Sequence, residues 1–516
     1  MSRLETATAG ALPKRPSNLV EVVAQFLSTL VGRGSYLALQ VVLARVLGPE
    51  GFGLYAIGWT VAGLTGTLTP VGMPQAVLRY CIGGRASILS RPTIIVLIVG
   101  LAGAAGLTIG SGQIAAHIFG EPASSPIIRA FAPSVPLLGL TAVLTGSLRS
   151  SGRMLASALI GATSGLAYLV ITVLMFEIHP TAVAAANAYN MSLGLILVPC
   201  IALLWQAHAT EWQTPTTRQL MHFGIVTMLI HSTSVLNLWA DRVVIGVVAD
   251  PRTLATYQVA SQFAMIMVVL RSAVTTVFEA RVPKHHPSAS PPDVTTEFFA
   301  ATRLLLHISV PGLVVLACTS AFWVHLLFGP AYAAAALPLL VLVAGQIVAT
   351  FVGPTVNALH MTGDERIVML LMVGTALLNI AGCFILLPPL GVTGAALATG
   401  IANFTVSVAC LYRLVRTGRL RFSLRWLFDI ALATMICVAA SLFITRFLTN
   451  GLLTGDLSAD VVRPPRAVLI LQTFGIVSAI YLLYAACVCA TCLVEDELVH
   501  LTKSQLRRRF RRLVSS

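Results

Sequence analysis

The stretch that decides the fold is LVEVVAQFLSTLVGRGSYLALQVVLARVL (19–47), which runs directly into GPEGFGLY (48–55). As a helix, the first part would be about 43 Å long, which is enough to cross a bilayer. The proline and three glycines that follow predict a helix end and a turn. The stretch therefore predicts a membrane-spanning helix with a sharp turn at one surface.

Arg33 lies in the middle of this apolar run. At helical spacing it shares one face with Thr29, Tyr36 and Gln40, so a single stripe of the helix is polar. An arginine in the middle of the hydrocarbon costs at least about 2.5 kcal/mol. We therefore expect Arg33 to line a wet cavity that binds a ligand.

The composition of the whole chain is that of a membrane protein. Of its 516 residues, 57% are hydrophobic and 10% are charged, and the mean hydropathy is +0.87. Soluble domains carry roughly 25% charged residues. Residues 1–18 have no apolar core, so we expect no cleavable signal peptide and expect the first helix to direct insertion.

The apolar segments predict an all-α integral membrane protein with about fourteen transmembrane helices. The predicted spans are 19–47, 53–78, 93–119, 125–148, 154–177, 181–206, 219–248, 253–280, 299–328, 331–360, 365–388, 391–415, 425–448 and 466–494. No loop between them is long enough for a separate domain.

The distribution of basic residues predicts the orientation. Of the 33 Lys and Arg residues, those in loops fall overwhelmingly on the side of the N-terminus. The opposite side holds only Arg45, Arg252, Arg446, Arg463 and Arg466. By the positive-inside rule, both termini are cytoplasmic. The net charge of +14 is thus explained by topology, and we expect no nucleic-acid partner.

The C-terminal segment 496–516 combines spaced leucines with an arginine cluster. This pattern is typical of a basic amphipathic helix on anionic cytoplasmic lipid headgroups, and a solvated, disordered tail is the alternative. Nearly all of the nine cysteines lie in apolar runs. Cys487, Cys489 and Cys492 resemble a metal spacing but would point to different faces of one helix, so we expect no metal site and no cofactor.

An internal repeat indicates two similar lobes. VVLARVLGPEGFGLY (41–55) aligns with VVIGVVADPRTLATY (243–257), so that the Val-Val pair, the proline and the tyrosine coincide. Phe119-Gly120 matches Phe328-Gly329, and Gly152 matches Gly363, in the same order. We predict two six-helix lobes around a central cavity, with two additional helices after them. The boundaries are 1–18 for the N-terminal segment, 19–206 and 219–416 for the lobes, 425–494 for the extra helices and 496–516 for the tail.

Polar residues inside the spans are the candidate substrate-binding residues, because such residues are costly in lipid. They are Arg33, Gln40, Asn237, Asp241, Arg242, Arg271, Gln346 and Asn357. For Asp241 and Arg242 a structural ion pair is the alternative, and for Arg271 the alternative is snorkelling to the cytoplasmic surface.

Several motifs resemble those of polysaccharide (lipid-linked oligosaccharide) flippases of the multidrug/oligosaccharidyl-lipid/polysaccharide exporter superfamily. They are LARVLGPEGFGLY (43–55), DRVVIG (241–246), FGPAY (328–332), TG (362–363), LN (378–379), LP (387–388) and GVTGAA (391–396). The resemblance covers residues 18–418. It implies alternating access and export of an undecaprenyl-pyrophosphate-linked glycan from the inner to the outer leaflet of a bacterial plasma membrane. A polysaccharide polymerase and export machinery are the partners that it implies, beside the lipid-linked glycan and membrane lipids.

Two other functions stay open at this point. One is a cation-coupled exporter of small molecules with the same fold, which a basic cavity disfavours. The other is a membrane glycan polymerase or ligase. The sequence has no phosphate-binding glycine loop and no nucleophile elbow, and the external loop 449–466 is short for a glycan-joining enzyme. We therefore expect a transporter and not an enzyme.

Overall fold

The computed structural model describes residues 19–80, 90–205, 216–281 and 320–420, together with scattered positions between 295 and 317. Throughout these ranges the chain is helical, without a β-strand. The chain divides into two compact units, unit 1 (Met1–Val235) and unit 2 (Leu236–Ser516). The division falls inside one long helix, Thr217–Val248.

Unit 1 is built from a series of α-helices. They are α1 (Leu19–Leu68), α2 (Met73–Tyr80), α3 (Arg91–Gln113), α4 (Ser125–Phe131), α5 (Ser134–Ser150), α6 (Met154–Phe176), α7 (Ala182–Trp205) and the first part of α8 (Thr217–Val248). A π-helical turn (Ile114–Ile118) extends α3, and a 3-10 turn (Pro122–Ser124) precedes α4.

Unit 2 begins in α8 and repeats this style of construction. Its helices are α9 (Pro251–Arg281), α10 (Ser320–Phe328), α11 (Ala336–Val352), α12 (Thr355–Met361), α13 (Glu365–Leu390) and α14 (Val392–Arg416). A 3-10 turn (Pro330–Ala335) joins α10 to α11.

Eight helical segments among the described residues are long and apolar enough to cross a membrane. The protein is thus a multi-pass membrane protein, and the predicted all-α membrane fold is confirmed. The two additional helices (425–494), the basic tail (496–516) and the cysteines 487, 489 and 492 lie outside the described residues.

The turn after the first span occurs at Gly48, whose φ of 68° lies in the left-handed region. The helix resumes immediately with Pro49 and runs to Leu68. The predicted second span, 53–78, is interrupted at 69–72, because Pro70 has no N–H and Gly72 takes a φ of 65°. A shorter helix, α2, follows this break, which the hydropathy pattern alone does not show.

Positions matched by the internal repeat have matching backbone conformations. Gly152 and Gly363 both have positive φ, 77° and 90°, at the ends of α5 and α12. In the first turn Arg153 donates its N–H to the Leu148 carbonyl, and in the second Asp364 donates its N–H to the Leu359 carbonyl. Both leucines are fully buried. Glycine is the residue that takes this conformation without strain. The two turns are therefore the same structure formed twice.

Candidate substrate-binding residues

Arg33 lies on an exposed face of α1, at the helix surface of unit 1. Its neighbour Gly32 packs directly on α6, where the Gly161 carbonyl is 3.1 Å from the position of a Cβ atom. Successive helical residues are separated by about 100°, so this contact turns Arg33 away from α6. Among the described residues Arg33 has no hydrogen-bond or ion-pair partner. Its guanidinium is therefore available to a ligand.

An aromatic group fills the interior of unit 1 next to this face. Trp59 is its centre, with ring centroids 4.9 Å from Tyr189, 5.6 Å from Tyr36 and 5.9 Å from Phe131. Tyr55 and Tyr168 pack on the same indole and are themselves buried. The hydroxyls of these two tyrosines are 2.8 Å apart and share a hydrogen bond.

Gln40 belongs to the interior of unit 1 and not to its surface. Its side chain is fully buried beside the Tyr55 hydroxyl, yet within the described part of the chain neither amide atom has a hydrogen-bond partner of good geometry. The predicted polar stripe of α1 is thus exposed at Arg33, half-buried at Tyr36 and buried at Gln40. In this conformation Gln40 cannot reach a ligand outside the unit.

Asp241 and Arg242 form a buried ion pair in unit 2, with 3.3 Å between Nη1 and Oδ1. Arg242 also donates to the Leu238 carbonyl (2.7 Å), to Gln258 Oε1 (3.0 Å) and to Ser261 Oγ (3.0 Å). These hydrogen bonds satisfy the guanidinium within its own unit. The arrangement matches the structural alternative that the sequence left open for this pair.

Tyr257 connects this ion pair to the last described helix. Its hydroxyl donates to Asp241 Oδ2 and lies 3.3 Å from Thr399 Oγ1. Thr399 in turn donates to Asn379 Oδ1 at 3.2 Å. The network joins α8, α9, α13 and α14 within unit 2.

The other predicted residues are dispersed over unit 2. Asn237 is half-buried, with its amide 3.7 Å from Met372 Sδ. Gln346 and Asn357 are also half-buried, on α11 and α12. Arg271 lies in α9, and its side chain is outside the described residues. Their assignment to substrate stays a prediction.

Sequence reasoning missed three residues that are accessible in unit 1. Arg129 is exposed, has no partner among the described residues, and lines an open cavity of about 520 Å³ with Pro122, Ser125, Pro126 and Ala130. Trp59 and Tyr189 are partly exposed members of the aromatic group. The position of Trp59 and Tyr189 deep in apolar spans could have identified them, because tryptophan and tyrosine are normally enriched at the membrane surface.

Comparison with known sequences identifies the family. Residues 42–337, more than half of the chain, match the sequence profile of the family described as polysaccharide biosynthesis protein. The chain belongs to this family. No protein of curated function matches it significantly in sequence.

Solved structures with the same fold are flippases and transporters. The lipid II flippase MurJ, in an inward closed conformation, aligns with a TM-score of 0.69 and 15% identity over 90% of this chain and 98% of MurJ. An inward-facing multidrug resistance MATE transporter of the MOP superfamily aligns with a TM-score of 0.63 and 13% identity, over 77% of this chain and 98% of that transporter. A MOP superfamily transporter from Pyrococcus furiosus aligns with a TM-score of 0.56 and 13% identity, over 77% of this chain and 95% of that transporter. The chain therefore shares its fold with these flippases and transporters.

Proposed function

We propose that the protein is a flippase that moves an undecaprenyl-pyrophosphate-linked oligosaccharide from the cytoplasmic to the outer leaflet of a bacterial inner membrane. It would supply a cell-surface or secreted polysaccharide by alternating access, with both termini in the cytoplasm. The observation that supports this proposal is Arg33, an exposed arginine deep in a membrane-spanning helix whose guanidinium has no partner among the described residues.

The chemistry of such a substrate explains the arginine. The pyrophosphate is the fixed anionic group of a lipid-linked glycan, and an unpaired anion inside the membrane is very costly. A guanidinium remains charged and offers a planar fork of donors to two phosphate oxygens. Arg33 lies about 22 Å along α1 from the Gly48 turn, so a pyrophosphate would meet it during passage.

The remaining candidates divide by accessibility. Asn237, Gln346 and Asn357 are partly exposed and would contact the glycan, and Arg271 would attract the pyrophosphate. Gln40, Asp241 and Arg242 are buried in this conformation and would reach substrate only if their units rearrange. We assign their present contacts to the framework of each unit.

The comparisons support a transporter and not an enzyme. The family is described by polysaccharide biosynthesis, and the structure matched over 90% of this chain is named a lipid II flippase. Solved structures with this fold include an inward-facing and an outward-facing conformation, as alternating access requires of a transporter. A polymerase and an export system are the partners that would act after translocation.

A multidrug exporter is the second candidate, because MATE transporters share this fold. These transporters are named for multidrug resistance, and the competing ligand class is an organic cation. The guanidinium of Arg33, which has no counterion among the residues that the structure describes, repels a cation and therefore favours the anionic lipid-linked glycan.

Reconstitution of the purified protein in liposomes tests these functions. The probe is the pool of undecaprenyl-pyrophosphate-linked glycans that accumulates in cells of the source bacterium lacking this protein. We expect faster exposure of the glycan to a membrane-impermeant oxidant, with the mass of the glycan unchanged. A covalent change in the glycan would indicate an enzyme. If the folded protein does not accelerate exposure of the glycan but does transport tetraphenylphosphonium, it is an exporter.

A further inference from the structure

Three rings of the aromatic group in unit 1 are partly exposed: Tyr36, Trp59 and Tyr189. The indole of Trp59 lies between the two tyrosines, with centroid distances of 5.6 Å and 4.9 Å. Behind them, Phe131 and Tyr168 pack on the same indole and are buried. The three accessible rings are therefore held rigidly from behind, and we call them the aromatic platform.

The aromatic platform lies well inside the membrane. Tyr36 precedes the Gly48 turn by twelve residues and Trp59 follows it by eleven, which places them about 18 and 16 Å from the turn. Their ring contact agrees with these nearly equal depths. Tryptophan and tyrosine that anchor a protein to headgroups lie at the surface of a hydrocarbon layer about 30 Å thick. Interfacial anchoring therefore does not explain this platform.

Two polar groups at the edge of the platform, on Trp59 and Tyr189, have no partner in the described part of the chain. Among the described residues, neither the Trp59 indole N–H nor the Tyr189 hydroxyl makes a hydrogen bond. An unpaired donor in contact with hydrocarbon is costly, because lipid tails cannot accept a hydrogen bond. These two donors require water or a ligand with acceptors.

Arg33 limits the kind of ligand. It precedes Tyr36 by three residues on α1, so the two side chains are neighbours on the helix surface. A ligand that uses both must combine an anion with a group that stacks on aromatic rings and accepts hydrogen bonds at its rim. A pyranose joined to a pyrophosphate has this chemistry: its C–H face is apolar and its hydroxyls lie around the edge.

We propose that Tyr36, Trp59 and Tyr189 form the binding site for the sugar attached directly to the pyrophosphate, while Arg33 holds the pyrophosphate itself. The inference rests on the proposed function and adds to it the residues that recognise the glycan. The aromatic faces stack on the C–H face of the sugar, and the Trp59 N–H and Tyr189 hydroxyl bind its hydroxyl groups. The platform recognises the first sugar and is indifferent to the rest of the glycan.

An organic cation is the competing ligand, because cations also bind over the faces of tryptophan and tyrosine. The adjacent guanidinium disfavours such a cation by like-charge repulsion. Tetraphenylphosphonium is therefore included as a probe. If it binds and the substitution Trp59→Leu weakens its binding, the platform is a cation site and the proposal is wrong.

The test compares two lipid probes on the full-length protein in nanodiscs. One is undecaprenyl pyrophosphate without sugar, and the other is the glycan-bearing lipid pool described above. We expect Trp59→Leu to weaken binding of the glycan-bearing lipid about ten-fold, the scale of one lost aromatic contact, and to leave the sugar-free lipid unaffected. Arg33→Ala should weaken both. Trp323→Leu, a partly exposed tryptophan of unit 2, is the matched control and should change neither.

Each outcome decides the proposal. Retained binding of the sugar-free lipid shows that a platform variant is folded. If Trp59→Leu does not fold, Trp59→Phe and Tyr189→Phe replace it, with smaller losses confined to the glycan-bearing lipid. Equal affinity of the platform variants and the wild type for the glycan-bearing lipid overturns the inference alone. Failure of the wild type to bind either lipid overturns the proposed function as well.

Discussion

Gly165 packs directly against Gly32: a Cβ atom added to Gly165 would lie 2.5 Å from the Gly32 carbonyl oxygen. Small residues at such crossings let two membrane helices approach closely. Because Gly32 is held against α6, Arg33 is fixed on the open side of α1. The orientation of the central candidate residue thus depends on a glycine contact with another helix.

The first prediction concerns this contact. Gly165→Val should destabilise unit 1 by about 1–3 kcal/mol, because the added atoms overlap the backbone of α1. Thermal unfolding in detergent measures the loss. Gly161→Ala, one turn earlier in α6, is the control, since a Cβ at Gly161 meets nothing within 4 Å. Equal melting temperatures of the two variants would show that the helices are not tightly packed here.

The second prediction concerns the ion pair in unit 2. Asp241→Ala should lower the free energy of unfolding by about 3–5 kcal/mol and reduce accumulation of the protein in the membrane, because it leaves Arg242 buried without its counterion. The charge-free double variant, Asp241→Asn with Arg242→Gln, should recover part of this loss. Immunoblotting of membranes and thermal unfolding supply the readouts. Full accumulation of Asp241→Ala would mean that Arg242 is not confined to this network.

The third prediction compares two tyrosines matched by the repeat. Tyr257→Phe removes the hydroxyl that donates to Asp241, whereas Tyr55→Phe removes one that is paired with Tyr168. Both changes should destabilise by about 1–3 kcal/mol, with the larger effect at Tyr257 because its partner is a carboxylate. Melting temperatures of the two variants decide the order. A larger loss from Tyr55→Phe would contradict the charged network.

The fourth prediction concerns topology. Reporters placed after Ser516 and within 282–297 should both read cytoplasmic, and one within 451–456 should read external. The reason is the concentration of Lys and Arg on one side of the spans. Alkaline phosphatase and fluorescent-protein fusions report the two sides. An external signal after Ser516 would change the number of spans.

Hydropathy and turn residues predict much of this fold. The break at Gly48, the matched glycine turns at 152 and 363, and the helical class follow from local chemistry. The interruption at 69–72 was missed because apolar residues continue through it, although Pro70 and Gly72 signal it. Local composition identifies strong turns more readily than breaks inside a continuous apolar run.

The binding residues were less predictable, because burial depends on contacts between distant helices. Gln40 and Arg33 share a predicted stripe, yet one is enclosed and the other exposed. Trp59 and Tyr189 come together only when α1 and α7 pack. No periodicity within a single helix contains that information.

The measurement that tests the central claim most directly is the initial rate of glycan translocation in liposomes by Arg33 variants. At equal amounts of folded protein, Arg33→Ala should lower the initial rate at least about ten-fold, because the pyrophosphate loses its charged partner. Arg33→Lys should keep part of the rate, because it retains the positive charge. Arg45→Ala, an exposed arginine of the same helix, is the control and should transport as the wild type does. Translocation by folded Arg33→Ala at the wild-type rate would contradict the role of Arg33 in carrying the substrate.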